Sequence, residues 1–237
     1  FAYPEAGENV LTDISFKAKK GQTIAVIGST GSGKSTLINL IPRYYDVTKG
    51  SVKVDGVDVR DMTQKELRDK LGYVPQKGVL FSGTIDSNIR YGKPEITDAQ
   101  VKEAAEVAQA TEFIDTKPEK YESPVSQGGT NVSGGQKQRL SIARAIAKDP
   151  EIFIFDDSFS ALDFKTDSQL RKALKEYTKD ATTVIVAQRI STILGADQII
   201  VLDDGHMAGI GTHKELMANC EVYQQIARSQ LSEEELA

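Results

Sequence analysis

The stretch Gly28-Ser29-Thr30-Gly31-Ser32-Gly33-Lys34-Ser35-Thr36 decides the fold, because it matches the pattern G-x-x-x-x-G-K-[ST] of a phosphate-binding loop. Residues 23–27 before it are apolar and rich in β-branched side chains, which predicts a buried strand. Residues 35–41 after it predict the start of a helix. A chance match of a glycine- and serine-rich turn is the alternative, but strand, turn and helix follow one another in the order that this loop requires.

The members of this loop have separate expected roles around the phosphates of a nucleotide. Gly28, Gly31 and Gly33 let the backbone curl so that successive N–H groups point at phosphate oxygens. The start of the helix adds its partial positive charge. Lys34 is expected to reach the β- and γ-phosphates, and the hydroxyl of Ser35 to hold Mg²⁺.

The composition of the 237-residue chain narrows the function classes. A length of this size allows one large domain or two small ones. The net charge of −5 argues against nucleic-acid binding. Cys220 is the one cysteine, so no intramolecular disulfide forms; we expect it to be a small buried hydrophobe in a helix-like segment. No apolar run approaches the roughly 18 to 20 residues that cross a bilayer, and there is no signal peptide.

The pattern along the chain predicts an α/β architecture with a largely parallel sheet. Alternation over residues 1–22 predicts a β-hairpin, and a closing hairpin is expected to turn at 203–205. The residue pattern from about 84 to 148 is helix-like and predicts a helical insert. The chain is expected to form one compact unit with lobes. Further strands are predicted at 51–56, 71–76, 152–155, 182–186 and 199–202.

Helix starts are marked by capping boxes, in which Ser or Thr precedes Glu or Gln by three residues. The one at Thr212 is expected to begin the last helix, and the acidic tail 232–237 is expected to fray. His206 and His213 have no company at metal-ligand spacing and are interpreted as structural or solvent-facing. The other capping boxes start at Thr63 and Thr97.

Two further motifs carry chemistry. Residues 152–155 form an apolar strand that delivers Asp156 at its carboxyl end, where a nucleotide-bound Mg²⁺ needs a carboxylate; a core strand running into a solvated acidic turn is the alternative. The motif Ser133-Gly134-Gly135-Gln136 begins a helix and offers a second anion site. Because one γ-phosphate rarely needs two such sites in one chain, we expect two chains to face each other, each closing the nucleotide of the other.

With these motifs the chain resembles the nucleotide-binding domain of an ATP-binding cassette (ABC) transporter over essentially its whole length. The resemblance makes residues 132–136 the signature motif, Gln76 the Q-loop glutamine, 160–163 the D-loop with Asp163, and Tyr3 the aromatic that stacks on adenine. It also implies that Ser133 and Gly135 contact the γ-phosphate held by a partner domain. Residues 80–89 resemble exporters more than importers.

The resemblance implies a fold with a P-loop NTPase (RecA-like) core, an N-terminal antiparallel β subdomain and an inserted α-helical subdomain. We assign 1–76 and 149–237 to the core and β subdomain, and 77–148 to the helical subdomain. The implied cofactors are ATP and Mg²⁺, with Ser35, Gln76 and Asp156 on the metal. The implied site lies at the cytoplasmic face of a membrane, and the chain, which opens on Phe1 rather than Met, is interpreted as part of a longer protein with its own transmembrane domain.

Two departures from the family pattern concern hydrolysis. Asp157 stands where the family has the glutamate that polarises the attacking water, and one methylene less withdraws the carboxylate by roughly 1.5 Å. Gln188 stands where the family has the switch histidine, and glutamine cannot carry positive charge. The pair resembles the degenerate subunit of a heterodimeric multidrug exporter: Lys34 and the loop bind nucleotide, while cleavage is weakened. A tolerated replacement with normal turnover is the alternative.

Several alternatives stay open at this stage. A fully hydrolytic homodimeric exporter domain, a soluble ABC ATPase acting on DNA or ribosomes, and a non-hydrolysing regulatory module are the rival functions. Gln127 stands where many exporters have glutamate, and no functional prediction follows from it. The basic residues Lys137, Arg139 and Arg144, with Gln138 among them, fit a solvated helix face as well as phosphate attraction. No nucleic-acid partner and no direct membrane insertion are expected.

Overall fold

The computed structural model describes residues 1–232 of the chain and divides into two compact units. The first unit consists of Phe1–Leu71 together with the chain from Thr182 onward, and the second unit is Gly72–Ala181. The acidic tail expected at 232–237 lies, after its first residue, outside the described residues. Among residues 1–232, no helix has both the length and the apolar character that crossing a membrane requires.

Strands and helices of the described residues are numbered here in chain order. The strands are β1 (Thr23–Gly28), β2 (Lys53–Val54), β3 (Val57–Asp58), β4 (Leu71–Val74), β5 (Gly83–Thr84), β6 (Pro124–Val125), β7 (Ile152–Asp156), β8 (Thr182–Val186), β9 (Gln198–Asp203) and β10 (His206–Gly211). The α-helices are α1 (Lys34–Asn39), α2 (Gln64–Asp69), α3 (Ile85–Ile89), α4 (Asp98–Val107), α5 (Thr111–Asp115), α6 (Gly134–Ala147), α7 (Phe164–Tyr177), α8 (His213–Asn219) and α9 (Glu221–Gln230).

In the first unit the strands follow the order β10-β9-β1-β8. Strand β1 is parallel to both of its neighbours, with Ala25 opposite Ile185 on β8 and Ile199 on β9. Its residues Ile24 to Val26 are fully buried, as the β-branched run predicts for a central parallel strand. Strands β9 and β10 are antiparallel, so the closing hairpin is confirmed. Strand β1 therefore ends where the phosphate loop begins.

The C-terminal helices pack on this sheet and hold the loop that follows β8. Tyr223 and Ala227 of α9 share one apolar cluster with Ala187 and Ile190, and Cys220 lies in it as a buried thiol. The predicted capping box at Thr212 is confirmed, and it begins α8. That helix is not the last, because α9 follows it. Cys220 has an extended backbone, φ −120° and ψ 104°, which ends one helix and lets the next begin.

The hairpin predicted for residues 1–22 is wrong. This segment forms a loop that is closed by backbone hydrogen bonds between Phe1 and Leu11, and Thr12 makes a single isolated bridge to His206. Glu5 and Asp13 have positive φ values of 66° and 52°, which turn the chain out of the extended conformation before two strands can form. In the first half of the chain, antiparallel pairing of the first unit is limited to the short strands β2 and β3.

The second unit places β4 beside β7 and surrounds them with helices. It contains the segment 77–148 that the sequence predicts to be helical, and also β7 and α7. The capping boxes predicted at Thr63 and Thr97 are confirmed, since in each the hydroxyl accepts from the backbone N–H three residues on and the Glu or Gln side chain returns to the cap. Helix α6 buries Leu140, Ile142 and Ala143. The α/β fold class is therefore confirmed.

Candidate nucleotide site

The phosphate loop connects β1 to α1 in the first unit and requires glycine at three positions. A Cβ on Gly28 would lie 2.2 Å from the carbonyl oxygen of Leu202. Gly31 and Gly33 have φ of +82° and +100°, in the region that favours glycine. Gly33 is also the N-cap of α1, and no side chain of the described residues caps this helix. The backbone here is therefore shaped to receive an anion.

Lys34 and Ser32 show how the loop fits a phosphate group. The ammonium of Lys34 donates to the carbonyl oxygens of Gly28 and Ser29 at 2.8 and 2.7 Å, which holds its charge over the loop. The Oγ of Ser32 is buried and has no hydrogen-bond partner among residues 1–232. A buried hydroxyl of this kind costs free energy until an acceptor or donor reaches it. The residues present therefore fit a triphosphate.

Tyr3, the expected adenine-stacking residue, lies beside the end of the same loop. Its hydroxyl is 2.8 Å from Oγ1 of Thr36. Phe1 and Tyr45 pack against the Tyr3 ring edge-to-face, with centroids 4.9 and 5.0 Å away. The first unit thus gathers an aromatic platform and a phosphate loop at one place.

In the second unit β7 delivers two buried carboxylates at its end. Asp156 and Asp157 are each 9% exposed, and the hydroxyl of Tyr73 lies 3.5 Å from Asp156 Oδ2. The amide Nε2 of Gln76 donates to Oδ2 of Asp157 at 3.1 Å, so the structure brings two of the predicted catalytic residues together. Asp157 has φ 48°, a left-handed conformation that aspartate tolerates better than most residues.

The signature segment begins α6 with a complete capping box. Oγ of Ser133 accepts from the backbone N–H of Gln136 at 3.2 Å, and Oε1 of Gln136 accepts from the N–H of Ser133 at 3.1 Å. A Cβ on Gly134 would meet no atom of the described chain within 4 Å. On Gly135 it would lie 3.5 Å from the carbonyl of Ala161, so the D-loop packs directly on the signature turn.

Asp163, at the end of this D-loop, is the N-cap of α7. Its carboxylate accepts from the hydroxyl of Thr166 at 2.6 Å and from the backbone N–H of Thr166 at 2.9 Å. These two hydrogen bonds, that from the hydroxyl first, lower the pKa of Asp163. The carboxylate is therefore kept ionised at the start of the helix, next to the signature turn.

Two glutamines, Gln138 and Gln230, hold the loops that carry Gln76 and Gln188, and the sequence pattern does not reveal this. Gln138 of α6 is 1% exposed; its Oε1 accepts from Gly78 N at 2.9 Å and its Nε2 donates to Pro75 O at 3.1 Å. It therefore spans the loop that carries Gln76. Gln230 of α9 spans the loop that carries Gln188 in the same way. A period of three to four residues, as in 138, 141 and 145, was the available signal for the buried face of α6.

The solvated-face interpretation of the basic residues on α6 is wrong for most of them. Arg139 donates to the carbonyl of Gln109 at 2.8 Å and lies 4.8 Å over the ring of Phe113. Arg144 donates at 2.8 Å to the carbonyls of Val79 and Asn88. Burial lowers the pKa of Arg144 to about 10, which leaves it charged at neutral pH. These side chains fasten the second unit internally.

Each of the two histidines lies within hydrogen-bond distance of a neighbouring group. His213 Nδ1 lies 2.8 Å from the hydroxyl of Tyr223, and His206 Nδ1 lies 2.8 Å from the carbonyl of Asp204.

Within residues 1–232 no group of three or more His, Cys, Asp and Glu is arranged to hold a metal ion by itself. A magnesium ion bound mainly through phosphates and water needs only one or two protein ligands.

Comparison with known proteins decides the family. The family model described as ABC transporter matches residues 11–160. The chain belongs to the ABC transporter family.

Relatives of this family agree over nearly the whole chain. An uncharacterized ABC transporter ATP-binding protein of Mycobacterium tuberculosis (strain ATCC 25618 / H37Rv) is 50% identical over 97% of this chain and 40% of its own length. A Staphylococcus aureus (strain NCTC 8325 / PS 47) protein named as a multidrug export ATP-binding/permease protein is 46% identical over 95% of this chain and 39% of its own length. The chain thus spans about 40% of the length of the curated relatives it matches.

A solved structure supports the same assignment. A bacterial Atm1-family ABC exporter with ATP bound superposes with a TM-score of 0.94 and 38% identity, over 98% of this chain and 41% of that one. The fold is therefore that of an ABC ATPase domain of exporter type, with mixed parallel and antiparallel strands.

Proposed function

We propose that this ABC domain binds MgATP, dimerises around it with a second nucleotide-binding domain, and powers export of a drug-like or lipid-like substrate across a membrane. The observation that carries the proposal is the phosphate loop, where Lys34 is held over a glycine-lined turn and Ser32 keeps a buried, unpartnered hydroxyl. The names of the Staphylococcus aureus relative and of the Atm1-family exporter support the export function.

The residues predicted to hold the nucleotide have separate proposed roles. Tyr3 is proposed to stack on adenine, and the loop with Lys34 to bind the phosphates. Ser35, Gln76 and Asp156 are proposed to hold Mg²⁺. The metal supplies charge neutralisation of the phosphate oxygens when it is bound. The loop residues proposed to contact the nucleotide directly are Gly28, Ser29, Thr30, Gly31, Ser32, Gly33, Lys34, Ser35 and Thr36.

The signature turn is proposed to act on the nucleotide of the partner domain. Ser133 already uses Oγ as an acceptor inside its own capping box, so its proton is available for an acceptor outside the box. Gly134 leaves space in front of the turn. Gln136 bonds to the backbone of Ser133, and Asp163 caps the neighbouring helix α7. Both residues therefore hold the shape of the signature turn. A transmembrane domain of the same protein is proposed to receive the motion, which places the domain at the cytoplasmic face of the cell membrane.

Hydrolysis at this domain's own site is proposed to be weak, and the second domain to be a different chain with a competent site. Asp157 has a side chain one methylene shorter than glutamate and is bonded to Gln76 in the structure. A displacement of about 1 Å in a catalytic group can cost on the order of 100-fold in rate. Gln188 can donate to a phosphate oxygen but adds no positive charge. Binding is retained and cleavage is slowed.

The test restores the two side chains in the full-length transporter with its partner. The double variant Asp157→Glu, Gln188→His is expected to raise hydrolysis at this chain's own site by about tenfold or more, because carboxylate and imidazole then reach the positions that general base catalysis needs. With two competent sites in place of one, total phosphate release of the assembled pair is expected to rise up to about twofold. Phosphate release is the measurement. Asp157→Asn, which tolerates the same left-handed backbone, is the matched control and is expected to give no rise. Unchanged turnover in the double variant would show that the native pair is already competent.

A further inference from the structure

The side chain of Gln230, at the end of α9, bonds to the backbone on both sides of Arg189. Its Nε2 donates to the carbonyl oxygen of Gln188 at 2.8 Å. Its Oε1 accepts from the N–H of Ile190 at 2.8 Å. One amide thus replaces the two hydrogen bonds that a neighbouring strand would give to this loop.

The two ends of this contact are anchored independently. Ile190 is fully buried in the apolar cluster that also contains Tyr223 and Ala227 of α9. Just before the loop, Ala187 N–H donates to the carbonyl of Val26 in β1 at 3.2 Å. The backbone of Gln188 therefore leaves the sheet at a fixed point, and the amide of Gln230 decides its direction over the next residues.

The second unit contains the same arrangement, in which a helix glutamine bonds to the backbone on both sides of a loop residue. Gln138 bonds to Pro75 O and Gly78 N, one residue before and two residues after Gln76. In both units a glutamine on a helix spans a loop whose own glutamine side chain is proposed to face the nucleotide. Two independent occurrences of this arrangement argue against a chance contact of an exposed side chain.

We propose that Gln230 is a positioning residue for the nucleotide site: it fixes the loop at Gln188 and thereby sets where the side chain of Gln188 meets the γ-phosphate. The inference rests on the proposed function, because it takes Gln188 to face the nucleotide. Loss of the clamp leaves the adenine and the first two phosphates unaffected, since their proposed contacts are made by Tyr3 and by the loop around Lys34. The preference for ATP over ADP is what it changes.

Substitutions at position 230 remove one or both hydrogen bonds of the clamp. Gln230→Leu removes both hydrogen bonds at nearly constant size. Gln230→Glu keeps an acceptor for Ile190 N–H but places a carboxylate oxygen against the carbonyl of Gln188, so it is expected to behave like the leucine variant. Gln225→Leu is the matched control on the same helix, because Gln225 is exposed and bonds only to Glu221 within the described chain, at 3.4 Å.

The experiment measures ATP and ADP competition for photo-crosslinking of labelled ATP to this chain in the full-length transporter. Gln230→Leu and Gln230→Glu are expected to lower the ATP-over-ADP preference by about three- to tenfold, with ADP affinity unchanged, as expected for loss of one or two hydrogen bonds. Gln225→Leu is expected to leave the preference as it is. Hydrogen exchange of the peptide containing Ile190 is expected to quicken in Gln230→Leu, which loses the acceptor for Ile190 N–H, and to stay as in the wild type in Gln225→Leu.

A second background separates positioning from general support. In a Gln188→Ala protein, Gln230→Leu is expected to cause no further loss of ATP preference, because the side chain that it positions is gone. An equal loss in both backgrounds, or wild-type preference and exchange in the Gln230 variants, overturns the clamp while the nucleotide-binding proposal stands. Failure of the wild-type transporter to crosslink ATP at this chain overturns both.

Discussion

Two helix N-termini of this molecule are proposed to meet phosphate groups, and their caps differ. Helix α1 of the first unit begins at Gly33, which caps it with no side-chain hydrogen bond from the described residues. Helix α6 of the second unit begins at Ser133, where a full capping box satisfies the backbone. An uncapped terminus leaves N–H groups for a ligand, whereas a capped one is stable without any.

The different caps fit the different roles proposed for the two termini. At α1 the cap is a glycine, the buried Ser32 hydroxyl has no hydrogen-bond partner among residues 1–232, and the Lys34 ammonium donates to loop carbonyls. At α6 the box occupies two donors, and the hydroxyl proton of Ser133 enters no hydrogen bond within residues 1–232. The first terminus thus suits tight binding in its own domain, and the second suits a lighter contact made only when a partner approaches.

Removing the charge at the first terminus is expected to have the largest effect. Lys34→Ala should weaken ATP binding to this chain by about 30- to 150-fold, since a hydrogen bond to a charged group contributes roughly 2 to 3 kcal/mol. Labelled-ATP crosslinking to the full-length transporter measures it. Lys49→Ala, at an exposed lysine of the same unit, should bind as the wild type does. Equal affinity in the Lys34 variant would mean that the loop does not hold the phosphates.

A smaller effect, on the free energy of unfolding, is expected when the glycine at each terminus is replaced by alanine. Gly33→Ala forces an L residue to φ +100° and places its Cβ 2.6 Å from Cδ2 of Leu11. The variant should lose about 2 kcal/mol of unfolding free energy. The same change at the second terminus, Gly134→Ala, meets no described atom within 4 Å and should be neutral or stabilising by up to about 1 kcal/mol. Denaturant unfolding compares them, and equal losses would contradict the different design of the two caps.

Local patterns were sufficient to predict much of this architecture. The phosphate loop, the buried strand β7 before Asp156 and the capping boxes are each specified by residues that are close together in the sequence, so their structures were predicted. The hairpin expected at residues 1–22 was wrong because alternation alone does not reveal positive φ at Glu5 and Asp13.

The features that the sequence did not reveal depend on distant partners. Gln138 and Gln230 look like ordinary polar helix residues until the loops that they span are in place. The same holds for Arg144, whose carbonyl partners lie more than fifty residues earlier. For the site, the identity of the residues could be predicted from motifs, but the hydrogen bond between Gln76 and Asp157 could not, because it depends on the left-handed turn at the end of β7.

Substitutions at Ser133 are expected to change stability less than Gly33→Ala does, and to separate the capping role of this residue from its proposed contact with nucleotide. Ser133→Ala should cost about 1 kcal/mol of unfolding free energy, because the cap is lost. Ser133→Asp should unfold like the wild type, since aspartate caps equally well. Its carboxylate, however, would stand where a phosphate of the partner's nucleotide is proposed to lie, so turnover of the assembled transporter should fall by about tenfold or more. ATP crosslinking to this chain's own loop should stay unchanged in both variants. If the aspartate variant turns over at the wild-type rate, the second terminus serves only to begin a helix, and the contrast with the first terminus is one of stability alone.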